Sequence, residues 1–237
     1  MRSIFVLSSA ALLASPFLLL SQAARAAFRE PLNKHDNFII PDGSGPDRWG
    51  CTFQQSAVRV ANAVTRILIG KDSSSKPFSC GELIYGEQGL SYGVYSIDMI
   101  ASNVVGQVTS FFLIANEDSE IDIEITGLNS RIGWMNIWHA HKQHPISIDL
   151  GFDASEGWHT YQFEWRKDFV EWSVDGKVIL HRTDIPTTPP SQANYRLAIN
   201  SWTQVNQEKD IKWAGQFKMP TDGRIPQALF RNIQYRP

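Results

Sequence analysis

The feature that most constrains the fold of this chain is a strict alternation of acids and isoleucines over six residues, Glu120-Ile-Asp-Ile-Glu-Ile125. A period of two is typical of a β-strand, in which successive side chains point to opposite faces of a sheet. The alternation therefore predicts a strand with Glu120, Asp122 and Glu124 on one face and three isoleucines on the other. An edge strand with its acids in water would give the same pattern.

The three acids in a row also suggest chemistry. No lysine or arginine is interleaved with them, so like charges line up at a cost that a merely solvated face does not require. Hydrolysis of a glycosidic bond does require two carboxyl groups at one atom, one ionised and one protonated, with pKa values that the environment sets apart. A third acid between them could hold the pair in register and help to set that difference.

Segments with strand-like patterns occupy much of the remaining chain. They are residues 57–60, 65–69, 81–85, 93–100, 108–114, 133–138, 146–150, 160–165, 170–174, 177–180, 195–202 and 228–235. Asp175-Gly176 is a signal for a two-residue type I′ turn, and Tyr161, Phe163 and Trp165 share a face that is expected to be core. No apolar pattern of period 3.6 persists long enough for a major helix. Many short strands separated by Gly/Pro turns predict an all-β fold, an antiparallel β-sandwich.

Length and charge narrow the class of protein further. The chain has 237 residues and a formal net charge of −2, and no Gly/Ser-rich linker divides it, so residues 27–237 are expected to form a single domain. Without a basic stripe, nucleic acid is not an expected partner. A P-loop and a G-x-G-x-x-G motif are both absent from the sequence, which argues against nucleotide binding.

Residues 1–26 are predicted to be a secretory signal. Arg2 gives a positive start, residues 4–20 are mostly apolar, and Ala24-Arg-Ala26 is a small-residue cleavage site. The alternative is a transmembrane anchor, but three serines and Pro16 make this stretch a poor membrane span. We therefore expect a secreted protein, extracellular or periplasmic, that is not bound to a membrane after cleavage.

The two cysteines, Cys51 and Cys80, both lie in the part of the chain expected to remain after export. In an oxidising compartment they are expected to pair and to close a loop of about thirty residues, which chain-entropy reasoning values at roughly 3–4 kcal/mol. The alternative is two buried free thiols. A zinc site is not predicted, because neither cysteine has a second ligand at zinc-like spacing.

Histidines cluster in one short run. His139, His141 and His144 form an H-x-H-x-x-H pattern that could either bind a metal or line the polar rim of a cleft. Pro145 beside them indicates a loop and favours the rim. His159, between aromatic residues, is expected to be a hydrogen-bonded structural residue.

Two strands combine an amide with an indole on one face. Asn136 and Trp138 form one pair, and Asn200 and Trp202 form the other. Sugar binding uses such a combination, since an amide bonds ring hydroxyls and an indole offers an apolar stacking surface. Core packing of both tryptophans is an equally good explanation of the spacing.

The acidic strand followed by Gly127 resembles the catalytic signature of glycoside hydrolase family 16, in its lichenase-like (endo-1,3-1,4-β-glucanase) branch, which also holds xyloglucan and fungal wall transglycosylases. The resemblance covers most of the chain after the signal. It extends to Phe28-Arg-Glu-Pro-Leu-Asn33, Gly93-Val-Tyr95, Ser110-Phe-Phe112, Leu150-Gly-Phe-Asp-Ala-Ser155, His159-Thr-Tyr161, residues 172–176, and the positions of Cys51 and Cys80. The resemblance implies a jelly-roll sandwich of two curved sheets, concanavalin A-like, with a substrate cleft across the concave face.

The resemblance also implies residue roles. Glu120 is expected to be the nucleophile, Glu124 the general acid/base and Asp122 a supporting carboxylate. Asn136, Trp138, Asn200 and Trp202 match substrate-binding positions of the cleft.

The chain departs from the family pattern at several positions. Ile84 replaces a sugar-binding arginine, Ile114 a cleft tyrosine and Asp118 a tryptophan, so donor-side recognition is expected to differ from that of lichenases. Arg231 stands where the family has a calcium-binding aspartate, so neither that metal nor any other metal or cofactor is predicted.

The sequence thus predicts a secreted, retaining endo-β-glucanase that hydrolyses internal β-1,3/β-1,4 bonds of a β-glucan polysaccharide and acts as a monomer. Two alternatives remain open at this point. One is a family 16 transglycosylase acting on cell-wall glucan, and the other is a non-catalytic lectin-like carbohydrate-binding module.

Overall fold

Two β-sheets make up most of the part of the chain that the structure describes. The structure is a computed structural model, and it describes residues 28–30, 37–43, 49–72, 76–86, 89–116, 119–204 and 208–237. The predicted signal, residues 1–26, lies outside these ranges, and the division into a signal and a single domain stays a prediction. Within the described residues, no helix is long and apolar enough to span a membrane.

One sheet, here called the back sheet, contains eight strands among the described residues. In chain order they are β1 (Phe28–Glu30), β4 (Val58–Ala61), β5 (Val64–Leu68), β8 (Gly93–Ile100), β14 (His159–Trp165), β15 (Val170–Val174), β16 (Lys177–Arg182) and β18 (Gln227–Arg236). The spatial order is β16-β15-β14-β8-β18-β5-β4, with β1 also paired to β18. Because β8 pairs with β14 and β18, and β18 pairs with β5, this sheet is assembled by crossovers as well as by hairpins.

The other sheet, here called the front sheet, contains ten strands among the described residues. They are β2 (Phe38–Ile39), β3 (Cys51–Phe53), β6 (Gly70–Lys71), β7 (Phe78–Tyr85), β9 (Gln107–Asn116), β10 (Ser119–Thr126), β11 (Ile132–His139), β12 (Lys142–Gln143), β13 (Ile146–Asp149) and β17 (Arg196–Thr203). The main order is β12-β11-β10-β9-β17-β7-β2. The acidic strand β10 therefore lies near the middle of this sheet, not at its edge.

The main core lies between the two sheets. Tyr161, Phe163 and Trp165 of the back sheet are fully buried there, as their shared face predicts, together with the isoleucines of β10. Trp172 of β15 reaches across the core, and its Nε1 donates a hydrogen bond to the backbone oxygen of Asp122 at 3.3 Å. The predicted β-sandwich is confirmed, and β10 is fixed both to its sheet neighbours and to the opposite sheet.

A second, smaller hydrophobic cluster lies beside the main core. It contains the Cys51–Cys80 disulfide, which is confirmed, and it also contains Trp49, Trp202 and Phe217. The disulfide joins β3 to β7, which run parallel to each other. Among the described strand pairs this is the parallel one, so the sandwich is antiparallel apart from this short contact.

Strand positions agree with the sequence pattern for the longer segments, and the type I′ turn is confirmed by positive φ angles at Asp175 (50°) and Gly176 (77°). The five two- or three-residue strands were not predicted, because so few residues carry no readable period. They are β1, β2, β3, β6 and β12. A short α-helix, α1 (Glu208–Ala214), and a 3-10 helix, Gln55–Ala57, complete the described elements.

Candidate active site

The acids of β10 lie on the face of the front sheet that points away from the core, here called the open face. Ile121, Ile123 and Ile125 are at most 1% exposed and belong to the core cluster. Glu120 and Glu124 are partly exposed, whereas Asp122 between them is only 3% exposed. The alternation thus predicts the two faces of this strand correctly, and it places two accessible carboxyl groups on either side of a buried one.

On one side of the acids lies β11. In the antiparallel register, Glu120 is opposite Trp138, Asp122 is opposite Asn136, and Glu124 is opposite Trp134. Directly opposite residues of an antiparallel pair share a face, with Cβ atoms roughly 4.5–5.5 Å apart. Two of these three partners, Asn136 and Trp138, are predicted from the sequence, and the structure brings both beside the acids.

On the other side of Glu124 lies a row of polar side chains that crosses three strands. Ser110 of β9 is opposite Glu124, Asn200 of β17 is opposite Ser110, and Glu82 of β7 is opposite Asn200. Ser110 Oγ donates to Glu124 Oε1 at 3.3 Å, and Asn200 Nδ2 donates to Glu82 Oε2 at 3.0 Å. The predicted site residue Asn200 therefore lies in the same row as the general acid/base candidate.

Asp122 is the electrostatic centre of the site. Burial raises its pKa well above the usual value for aspartate, the negative charges of Glu124 and then Glu120 raise it further, and the hydrogen bond from Asn136 opposes the rise. Asn136 Nδ2 donates to Asp122 Oδ2 at 3.1 Å, while Asp122 Oδ1 is buried without a hydrogen-bond partner among the described residues. A neutral, protonated Asp122 is the form that this environment favours.

Glu82 is a fourth acid on the open face that the sequence analysis did not single out. Burial of its carboxyl group raises its pKa to about 7, and the hydrogen bond from Asn200 and the charge of Arg196 partly oppose this. The residues around Glu82 in β7 do not alternate between polar and apolar. Its position beside Asn200 is therefore known only from the register of β7 with β17.

Trp202 lies on the predicted face but not as an open ring. It is 8% exposed, and its ring stacks on Trp49 with centroids 4.7 Å apart and planes at 10°. It belongs to the second hydrophobic cluster. Its role in substrate binding stays a prediction, and its packing shows that it also has a structural role.

The histidine run lies in and directly after the tight hairpin that joins β11 to β12. His139 ends β11, and Ala140 and His141 form the turn with φ angles of 51° and 61°. The backbone N–H of His144 donates to Asn136 Oδ1 at 2.9 Å, so this loop orients the amide that bonds Asp122. Within the described ranges no group of three or more His, Cys, Asp or Glu side chains is arranged to hold a metal ion.

Among the other predicted positions, His159 is confirmed as hydrogen-bonded, with Nδ1 2.7 Å from Asp175 Oδ2. Ile84 lies opposite Ala198 in the front sheet, and Ile114 lies between Glu120 and Arg196 in one row. Asp118 falls outside the described residues. Far from these positions, Arg231 forms an ion pair with Asp98 of the back sheet, Nε to Oδ2 at 3.2 Å.

Two tryptophans at the site were missed by the sequence analysis. Trp134 has the same two-residue spacing from Asn136 as Trp138 and could have been found by extending that alternation. Trp213 lies in α1, and its ring centroid is 6.3 Å from that of Trp134. Nothing in the sequence around Trp213 indicates that a seven-residue helix returns to the open face.

Comparisons with known proteins identify the family of the chain. The family model described as glycosyl hydrolases family 16 matches residues 46–219. A beta-glucanase of Paenibacillus polymyxa is 30% identical over 214 residues, which cover 86% of both chains. A beta-glucanase of Acetivibrio thermocellus is 32% identical over 199 residues, covering 80% of this chain. Those residues span only about half, 55%, of the Acetivibrio protein.

Solved structures give the same result. The crystal structure of a prokaryotic beta-1,3-1,4-glucanase (lichenase) from a mouse hindgut metagenome superposes with a TM-score of 0.81 at 26% identity. The superposition covers 90% of this chain and 100% of that chain. The sandwich fold is therefore shared with an enzyme of known structure.

Proposed function

Because the chain belongs to glycoside hydrolase family 16, we propose that it is a retaining endo-β-glucanase that hydrolyses internal β-1,3/β-1,4 bonds of a polysaccharide. The observation that carries this proposal is the register of β10. It places Glu120 and Glu124 on the open face, partly exposed, on either side of a buried Asp122. The relatives named beta-glucanase support the substrate class.

In the first step, a carboxylate oxygen of Glu120 attacks the anomeric carbon of the sugar. The bond from that carbon to the leaving sugar's oxygen breaks, and Glu124 gives its proton to that oxygen. In the second step, water attacks the same carbon, the ester bond to Glu120 breaks, and Glu124 takes the proton of the water. Two displacements leave the configuration of the anomeric carbon unchanged.

The spacing of the acids suits this mechanism. Same-face Cα atoms on a strand are about 6.6–7 Å apart, so Glu120 and Glu124 are separated by roughly 13 Å along the backbone. A retaining pair needs carboxyl groups only about 5–5.5 Å apart. The two outer acids are therefore the longer glutamates, whose side chains can lean toward each other above the shorter Asp122.

Asp122 has a supporting role in this scheme. In its neutral form it adds no third negative charge between the two glutamates, and its protonated oxygen can donate a hydrogen bond to either of them. Asn136 holds the other oxygen in place. As charge on Glu120 is lost in the first step and regained in the second, a neutral hydrogen-bond donor beside it can stabilise the ionised state.

We also propose that the enzyme is secreted, because residues 1–26 have the composition of a signal. Expression in a host that exports the protein, followed by mass analysis of the secreted form, tests this. The expected N-terminus is Ala27. A secreted protein that retains residues 1–26 would contradict the proposal.

Reducing-end release from a panel of polysaccharides tests the activity. The panel contains mixed-linkage glucan, laminarin, xyloglucan and a bacterial exopolysaccharide. Release from one or more of the first two is expected. New oligosaccharide products that form only when an acceptor oligosaccharide is added, without a net gain of reducing ends, would indicate a transglycosylase, and binding without any turnover would indicate a lectin-like module.

Proton NMR of the first product tests the stereochemistry. A retaining enzyme releases the β-anomer first, and the α-anomer appears later by mutarotation. An α-anomer in the first spectrum would mean inversion and would overturn the roles given to Glu120 and Glu124.

A further inference from the structure

We propose that Trp134, backed by Trp213, forms the stacking surface for the sugar on the leaving-group side of the scissile bond. This inference rests on the proposed function, since it presumes that Glu124 protonates a leaving sugar. It names the ligand as a β-linked pyranose without a bulky substituent on the face that stacks. It assigns a role to two aromatic residues that the catalytic scheme does not use.

The position of Trp134 is the first argument. In the β10–β11 register it stands directly opposite Glu124, on the open face and partly exposed. The sugar that leaves is by definition the one whose oxygen receives the proton of Glu124. An aromatic ring on the strand next to that carboxyl group lies within reach of the leaving sugar.

The rigidity of the surface is the second argument. Trp213 of α1 meets Trp134 edge to face, with centroids 6.3 Å apart and planes at 79°. Behind it, Trp202 lies 6.0 Å from Trp213 and is itself stacked on Trp49. Trp202 and Trp49 are each 8% exposed, whereas Trp134 and Trp213 are only partly buried. Two accessible indoles are thus supported by two buried ones, which limits the rotamers that a ligand has to order.

The asymmetry around Glu124 is the third argument. On the β9 side its neighbours are Ser110, Asn200 and Glu82, which are hydrogen-bonding groups. Such groups can fix the hydroxyls of the sugar whose anomeric carbon reacts. On the β11 side the neighbour is an indole, which provides affinity without directional bonds. A surface of that kind suits a sugar that has to depart after the bond breaks.

Two kinds of substrate, with the same glycosyl donor but different leaving groups, separate a role in binding the leaving sugar from a general role in activity. β-Laminaribiosyl fluoride and β-cellobiosyl fluoride lose a fluoride ion and place no sugar on the leaving-group side. Laminaritetraose and cellotetraose, or a mixed-linkage tetrasaccharide, lose a disaccharide. For Trp134→Ala, kcat/KM on the tetrasaccharide that wild type cleaves is expected to fall about tenfold more than kcat/KM on the matching fluoride, the size expected for losing one aromatic stacking surface.

Further variants control for unfolding and for loss of any tryptophan. Trp134→Tyr keeps a flat ring and should recover most of the tetrasaccharide activity, and Trp213→Ala should show the same selective loss as Trp134→Ala to a smaller extent. Trp158→Ala removes an indole that stacks on Arg231 at 4.2 Å, away from the open face, and should leave the ratio of the two activities unchanged. Thermal melts check that each variant is folded.

The outcomes are distinct. A ratio that changes less than twofold in Trp134→Ala overturns this inference, even if wild type is an active glucanase. If Trp134→Ala does not fold, the same criterion applies to Trp134→Gln and Trp213→Ala. A wild-type protein that cleaves neither fluorides nor oligosaccharides overturns the proposed function instead.

Discussion

The two faces of β10 differ in what they contribute to the protein. Ile121, Ile123 and Ile125 are at most 1% exposed and join the core between the sheets. On the opposite face, Asp122 is also buried, but its pKa is raised because burial and two neighbouring carboxylates disfavour its charged form. The isoleucine face of this strand thus stabilises the fold, whereas the acid face destabilises it.

The comparison shows how the fold tolerates such a face. Aligned acids destabilise a strand on their own, but β10 lies near the middle of the front sheet and is bonded on both sides. Trp172 also anchors the backbone at Asp122 from the opposite sheet. The isoleucine face and the sheet neighbours therefore supply the stability that the acid face lacks, and the acids are free to be arranged for chemistry.

The largest expected effect of a substitution is loss of activity without loss of stability, at a residue of the acid face. Glu120→Ala should reduce kcat at least about 10⁴-fold, because no covalent glycosyl intermediate can form. Its melting temperature should stay the same or rise, since one of three aligned acids is removed. Steady-state kinetics and thermal melts of the same preparation give both values.

Azide separates loss of the nucleophile from general damage. It should rescue Glu120→Ala with formation of the α-glycosyl azide, and Glu124→Ala, which should still turn over substrates with good leaving groups, with formation of the β-azide. Glu164→Ala removes an acid on the outer face of the back sheet, paired with Arg166 at 2.8 Å, and should retain full activity. The same azide anomer from both site variants would contradict the roles assigned to the two glutamates.

The next largest effect is expected at Trp202, which lies on the open face and is also packed in a hydrophobic cluster. Trp202 is on the open face by register but is 8% exposed and stacked on Trp49. Trp202→Ala should lower the free energy of unfolding by about 3–5 kcal/mol, as removal of a buried tryptophan does, and should weaken substrate binding as well. Urea unfolding and substrate titration measure the two effects. A stability loss below about 1 kcal/mol would mean that the ring is a binding surface rather than core.

Trp202 is also an example of a side chain whose exposure cannot be predicted from the sequence. The alternation in β10 predicts the strand, its two faces and the placement of Asn136 and Trp138, because register and period are local properties of a strand. Whether an indole on the open face is accessible depends on what covers it. Trp49 is distant from Trp202 in sequence, and Trp213 lies in another element, α1, so no pattern within β17 predicts these contacts.

The same reason explains the other residues that were missed. Glu82 belongs to β7, and its proximity to Asn200 follows from a crossover between non-consecutive strands. The pKa of Glu82 follows from burial in the assembled sheet, not from its sequence neighbours. Long strands and their faces can be predicted from the sequence. Which residues stand opposite each other on neighbouring strands cannot, because that depends on the order of the strands in the sheet.

On the core face, a smaller but comparable effect on stability is expected. Ile123 is fully buried in the main core. Ile123→Ala should lower the free energy of unfolding by about 2–5 kcal/mol through lost burial and the cavity left behind. At temperatures where the variant is folded, kcat should remain within a few-fold of wild type. A kcat that falls as far as in Glu120→Ala would show that the two faces are not separable.

The smallest effect is expected at Glu82, and it depends on pH. The pKa of Glu82 is raised from 4.5 to about 7 in the folded protein, so the folded state holds a proton that the unfolded state has already lost. The contribution of this group to stability is therefore fully present below about pH 4.5 and is lost as the pH rises through about 7. Glu82→Gln keeps an acceptor for Asn200 and cannot ionise.

The stability difference between Glu82→Gln and wild type should consequently grow in favour of the variant between pH 4.5 and 7, by up to about 3 kcal/mol, and then stay constant. Urea unfolding at intervals across this range measures the difference, in which the contributions of the other acids largely cancel. Glu164→Gln controls for the removal of an acid from the back sheet. A difference that does not change with pH would mean that Glu82 ionises at the same pH in the folded and unfolded states, and that burial does not raise its pKa.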